Sequence, residues 1–121
     1  MGKIMLVDDS MTSRRILKEI MVKAGHEVVA EAADGEEGYL KYKEVRPDLV
    51  TLDITMPKMD GLESLKLIRK EDENAKVVMI TAAGQKEKMT QAVKYGAAEF
   101  ITKPYDAEEV AAVINRLLGG E

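Results

Sequence analysis

Apolar positions along this chain fall into short continuous runs, separated by longer stretches in which they recur every three or four residues. The runs are Ile4-Met5-Leu6-Val7, Val28-Val29-Ala30, Leu49-Val50-Thr51-Leu52, Val77-Val78-Met79-Ile80 and Phe100-Ile101. Continuous apolar runs of this length suit strands covered on both faces, which describes the first, third and fourth. The second is followed by Glu31 and reads as an edge strand. Five helices are predicted between and after these runs. Ser10 can cap the first, which carries Ile16, Leu17, Ile20, Met21 and Ala24 at core spacing and stops at Gly25. Asp34 with Glu37, Asp60 with Glu63 and Asp106 with Glu109 each resemble a capping box. They open the second helix, which ends before Pro47, the third, with Leu62, Leu65, Leu67 and Ile68, and the fifth, with Val110, Val113, Ile114 and Leu117. The fourth, from Lys86 to Tyr95, has only Met89, Ala92 and Val93 as an apolar stripe and is expected to be the weakest and most mobile.

Strict alternation of strand and helix predicts an α/β fold with a parallel sheet and right-handed crossovers. The 121 residues fit one domain, taken as 1–121, and show no internal repeat or linker. A formal net charge of −4 argues against a general nucleic-acid binder, which needs a basic face. The chain has no cysteine, so disulfides, thiolate nucleophiles and thiolate metal sites are excluded. No segment approaches the roughly 20 apolar residues of a membrane span, and a cytoplasmic location is expected.

Ligands of open parallel α/β sheets bind beyond the carboxyl ends of the strands. Those ends hold Asp8-Asp9, Asp53, Thr81 and Lys103. Three neighbouring carboxylates repel one another unless a cation joins them. An oxygen-only donor set without His or Cys suits a hard cation, Mg²⁺ before Zn²⁺. Asp53 is then a candidate carboxylate nucleophile that forms an acyl phosphate. Thr81 offers a donor to a phosphoryl oxygen, and Lys103 offers a positive charge.

In order and spacing, Asp8-Asp9, Asp53, Met56-Pro57-Lys58-Met59-Asp60-Gly61, Thr81-Ala82 and Lys103-Pro104 resemble the receiver domain of two-component response regulators. The likeness spans Lys3 to Leu118 and is greatest to the stand-alone chemotaxis regulators. It implies a flavodoxin-like, doubly wound five-stranded sheet of order 2-1-3-4-5 with helices on both faces. It further implies that Asp53 accepts a phosphoryl group from the His of a sensor histidine kinase. Asp9, Asp53 and the backbone carbonyl of Thr55 would ligate Mg²⁺ (or Mn²⁺), with Asp8 acting through water. Thr81 would bond a phosphoryl oxygen, and Lys103 would pair with Asp53 and later with the phosphate. Pro104 would follow a cis peptide bond and Gly61 would permit a tight loop. Phe100 would be the switch aromatic; lacking a hydroxyl, it is expected to be biased inward even without phosphate. The output surface would involve the fourth helix, fifth strand and fifth helix, with Met89, Val93, Phe100, Val113 and Arg116. The implied partners are the kinase and a downstream protein such as a flagellar switch component or a phosphatase, bound by a monomer. Because the chain ends soon after its last helix, at Leu118-Gly119-Gly120-Glu121, a stand-alone regulator is expected first. A single-domain phosphorelay carrier and a receiver cut from a DNA-binding regulator are the alternatives.

The plainer readings differ in strength. Asp34, Asp60 and Asp106 are expected to be caps, His26 to sit in a surface loop, and Arg14-Arg15 to form a solvated helix face. Met11 and Met56 could shape access to the site. A Mg²⁺-dependent phosphatase that turns over free phosphoesters would need a second acid near Asp53, and Thr55 cannot serve. A flavin-binding protein fits poorly with 4% aromatic residues and an acidic first loop.

Overall fold

The computed structural model describes residues 2–119; Met1, Gly120 and Glu121, at the limits of the expected domain, lie outside the described residues. Strands and helices alternate as β1 (Lys3–Val7), α1 (Met11–Lys23), β2 (Glu27–Ala32), α2 (Gly35–Val45), β3 (Leu49–Asp53), α3 (Gly61–Glu71), β4 (Val77–Thr81), α4 (Lys86–Lys94), β5 (Glu99–Thr102) and α5 (Ala107–Leu117). All strand pairs are parallel, in the order β2-β1-β3-β4-β5. This is the expected doubly wound sheet, and β2 is an edge strand as expected.

Successive strand residues point to opposite faces, so each apolar run feeds two cores. Met5, Val7, Val50, Leu52, Val77 and Met79 pack with Tyr42 of α2, Leu62, Leu65 and Ile68 of α3, and Ala92 of α4. Ile4, Leu6, Leu49, Val78, Ile80 and Ile101 pack with Leu17 and Met21 of α1 and Val110, Val113 and Ile114 of α5. Every residue of β3 and β4 is buried; their apolar runs account for most of this, and Thr51, Asp53 and Thr81 are polar residues buried with them.

The predicted caps form. Ser10, Asp34, Asp60 and Asp106 each accept hydrogen bonds from first-turn amides of their own helices. Glu37 completes its box one residue early, accepting from the Ala33 N–H at 2.7 Å. α4 has no side-chain cap, and its buried residue is Ala92 alone; Met89 is half-buried and Val93 exposed.

Four expectations need correction. Ile16 is exposed, because α1 meets the sheet along Leu17 and Met21, and Ile16 lies beside that stripe. His26 is buried: its Nδ1 accepts from the Gly2 N–H at 3.0 Å, and its Nε2 lies 2.7 Å from Asn115 Oδ1 on α5. Arg14 is not simply solvated, since it donates to the Asp8 carbonyl and, at 3.0 Å, to Glu31 of β2. Val113 cannot belong to an output surface, because it is buried between α5 and the sheet. Among the described residues no helix is long and apolar enough to cross a membrane.

Candidate functional site

The rim at the carboxyl ends of the strands gathers residues from across the chain. Asp8 directly follows β1, and its amide donates to the Ala32 carbonyl, extending the β1–β2 ladder by one bond. Its Oδ1 accepts from the Ser10 N–H at 2.8 Å, which fixes the carboxylate as the chain turns into α1. Asp8 is 1% exposed, and its Oδ2 has no hydrogen-bond partner. Asp9 beside it is exposed.

Asp53 closes β3 and is buried. Its Oδ2 accepts from Lys103 Nζ at 3.0 Å, and its Oδ1 accepts weakly from the Thr55 N–H at 3.4 Å. Lys103 Nζ also lies 3.4 Å from Asp8 Oδ2, close enough for charge attraction without a hydrogen bond. The ammonium thus sits between two carboxylates. The Lys103 amide donates to the Thr81 carbonyl at 2.8 Å, and the Lys103-Pro104 bond is cis. Tyr105 then anchors this loop to α1, its hydroxyl 2.7 Å from Ser13 Oγ.

Burial raises the proton affinity of Asp53, and the charge of Asp8 adds to it while the Lys103 hydrogen bond opposes it. Burial works against the charge of Lys103, but hydrogen bonding and attraction from Asp53, with Asp8 assisting, hold its pKa above the ordinary lysine value. One cation shared by two buried acids leaves negative charge uncompensated.

Carboxylate oxygens of Asp8, Asp9 and Asp53 lie within 4.8 Å of one another. Ligands of one Mg²⁺ stand roughly 3.0 Å apart at adjacent corners of its octahedron and roughly 4.2 Å at opposite ones. Three oxygens already gathered this closely need only small side-chain movements to close on a small hard cation. The partnerless Asp8 Oδ2 points to the same need. The residues present therefore fit a divalent ion.

The surrounding residues are arranged as follows. Thr81 ends β4 and is 1% exposed. Gly61 opens α3 against the end of β3, where a Cβ would come within 2.0 Å of the Asp53 carbonyl oxygen. Close approach, rather than an unusual turn, requires glycine there; the left-handed residue of this loop is Lys58, with φ 64°. Met56 is buried and Met11 exposed. Phe100 is half-buried and packs on the α2–α3–α4 side of the sheet, the face opposite Val113. Arg116 is exposed and paired with Glu99.

Sequence over residues 4–115 matches the response regulator receiver domain. The chain belongs to that family. It is 46% identical over 118 residues to the chemotaxis protein CheY of Thermotoga maritima, covering 97% of this chain and 98% of that protein. It is 47% identical over 116 residues to CheY of Bacillus subtilis, covering 96% and 97%. Among solved structures it resembles the CheX-CheY-BeF3-Mg complex from Borrelia burgdorferi, with TM-score 0.91 and 40% identity over 96% of this chain and 88% of that one. The response regulator domain of Thermotoga maritima CheB gives TM-score 0.84 and 33% identity over 98% and 94%. The protein is a CheY-like receiver domain of the two-component signalling type.

This receiver holds three residues to which the sequence reading gave no part in holding the site. Arg14 and Tyr105 brace Asp8 and the Lys103 loop. Gln85, at the start of α4, reaches back to Thr55. Their spacing from the motifs carried no chemistry, and only the packing of helices and loops brings them in.

Proposed function

We propose that this protein, as a single receiver unit, is a Mg²⁺-dependent phosphorylation switch with Asp53 as its phosphoacceptor. The observation that carries the reading is the acid trio at the strand ends, buried Asp8 and Asp53 beside exposed Asp9, with Lys103 bonded to Asp53 and one Asp8 oxygen unpartnered. Asp9, Asp53 and the Thr55 carbonyl would hold Mg²⁺, with Asp8 acting through water, and the bound ion would supply charge neutralisation between acceptor and donor.

The chain's own residues account for the remainder. An Asp53 carboxylate oxygen attacks phosphorus of a phosphohistidine; the new P–O bond forms as the P–N bond breaks, and the electron pair stays on imidazole. Lys103, held charged between Asp53 and Asp8, moves its hydrogen bond from the carboxylate to a phosphoryl oxygen and offsets the added charge. Thr81 at the end of β4 supplies a hydroxyl from the neighbouring strand. Thr55 has no acid or base to direct water onto the acyl phosphate, so self-hydrolysis is slow to intermediate and free phosphoesters are not turned over. The donor is a sensor histidine kinase, and the output is a protein contact at α4, β5 and α5, through Met89, Val93, Phe100 and Arg116. The Borrelia complex, in which a CheY is joined to CheX, supports a protein partner of this kind. We place the protein in the cytoplasm as a monomer in a chemotaxis-type pathway.

Acetyl phosphate with Mg²⁺ tests the reading. Stable labelling at one phosphoryl group per chain is expected, lost on chelation and absent in Asp53→Asn. Label persisting on Asp53→Asn, or phosphate released from a free phosphoester faster than the label itself decays, refutes it.

A further inference from the structure

The first four-residue turn of α4 is organised differently from those of the other helices. Gln85 stands at its N-cap, yet its side chain makes no cap bond. It turns back, so that Oε1 accepts from the Ala82 N–H at 2.6 Å and Nε2 donates to Thr55 Oγ1 at 2.8 Å. The backbone N–H can only donate, which fixes which amide end faces Ala82 and leaves the NH₂ for the hydroxyl. One side chain therefore joins the loop after Asp53 to the loop after Thr81. Its own carbonyl accepts from the Met89 N–H at 3.0 Å, so the same residue also begins α4.

We propose that Gln85 is a positioning residue, a latch that ties the β3–α3 loop to the first turn of α4 until a group is added to Asp53. The inference rests on Asp53 being the acceptor. The Thr55 N–H already leans on Asp53 Oδ1, and the Thr81 hydroxyl lies at the head of the other loop. A phosphoryl group adds charge and three strong acceptor oxygens, which draw nearby donors toward it. Those donors belong to the two loops that Gln85 joins, so re-aiming either one pulls on the latch. α4 is otherwise lightly anchored: its fully buried residue is Ala92, with half-buried Met89 and Tyr95 packed beside it. Opening the latch consequently passes occupancy of the site to the helix.

Gln85→Leu removes both bonds and Thr55→Val removes one, while Gln85→Glu keeps an acceptor for the Ala82 N–H. Hydrogen exchange at the Met89 amide, with and without acetyl phosphate and Mg²⁺, reads the effect. In unmodified protein, Gln85→Leu is expected to exchange up to about thirtyfold faster than wild type, about fivefold for each net hydrogen bond lost. Gln85→Glu should recover much of the protection, and Thr55→Val should add little to Gln85→Leu. Labelling should speed exchange in wild type and change it little in Gln85→Leu. A residue that merely stabilised the loop would lower the melting point and leave the label-dependent change intact; that result overturns the proposal. So does unmodified Gln85→Leu exchanging like wild type. Failure of wild type to label refutes Asp53 as acceptor, and the unmodified comparison still decides whether the latch exists.

Discussion

Gly61→Ala presses one methyl group against the strand end that carries Asp53. An ideal Cβ at this position lies 2.0 Å from the Asp53 carbonyl oxygen and 2.8 Å from both the Asp53 carbonyl carbon and Ile54 Cα. Real Cβ atoms essentially never approach heavy atoms closer than 3.0 Å, so something must move by about 1 Å. The obstacle is the backbone of β3, fixed between β1 and β4, and it cannot rotate aside as a side chain would. α3 must move instead, and its Gly61 N–H bond to the Ile54 carbonyl, 2.7 Å long, is lost or stretched. Overpacking costs about 1–3 kcal/mol and the bond about 1 kcal/mol more, giving about 3 kcal/mol in all. With a urea dependence of about 2 kcal/mol per molar, the unfolding midpoint should fall by about 1.5 M. Gly25→Ala is the control: φ is 91° there but nothing lies within 4 Å, so only the backbone penalty of about 1–2 kcal/mol applies. Far-ultraviolet circular dichroism through a urea titration measures both. A Gly61→Ala midpoint within 0.5 M of wild type, about a third of the predicted fall, would refute the reasoning.

Three further outcomes are expected. Mg²⁺ should raise stability by about 2.7 kcal/mol at a hundred times its dissociation constant, and Asp9→Asn should need far more ion for the same gain; melting curves across a Mg²⁺ series check this. Tyr42→Phe removes the 2.9 Å bond from the Tyr42 hydroxyl to Asp72 and should cost about 1 kcal/mol at neutral pH. That bond, with the Asn74 amide, holds Asp72 below its ordinary value of 3.8, so its stabilisation is complete above that pH and lost as pH falls through the folded value. Burial, and then the same bond, raise Tyr42 above its ordinary value of 10.0, so its stabilisation holds below that pH and is lost as pH rises beyond it. Wild type and variant should therefore converge at both extremes in urea midpoints, and a gap independent of pH would count against the assignment. His26→Leu fills similar space but strands the Gly2 N–H and the Asn115 side chain, and should cost about 1–3 kcal/mol in a thermal melt.

The frame of the molecule was readable because it rests on periodicity. Continuous runs at Leu49–Leu52 and Val77–Ile80 left no face for water, and four cap residues marked helix starts at Ser10, Asp34, Asp60 and Asp106. The acid trio was readable because strand ends in a parallel sheet share one rim. Side chains whose role depends on how a helix rotates against its neighbours were not. Spacing places Ile16 in the core, but it lies beside the Leu17–Met21 stripe on which α1 settles, whereas Val113 keeps the core place its spacing gave it and so loses the surface role that the family resemblance implied. His26 follows a helix-ending glycine, a context that suggests solvent, yet α5 passes over it and supplies Asn115. Gln85 sits where a Ser or Asp would announce a cap, and its purpose is visible only once the loop holding Thr55 lies beside it.

The burial of every residue in β3 has a consequence for how any signal can leave this protein. Asp53, the proposed phosphoacceptor, is mounted on a central segment of the fold, hemmed in by a strand on either side and a helical layer above and below. Chemistry at Asp53 cannot displace its own support. Whatever changes shape must be peripheral, and the lightly anchored border at α4 and β5 is where displacement is cheapest, with the middle strand as its fulcrum.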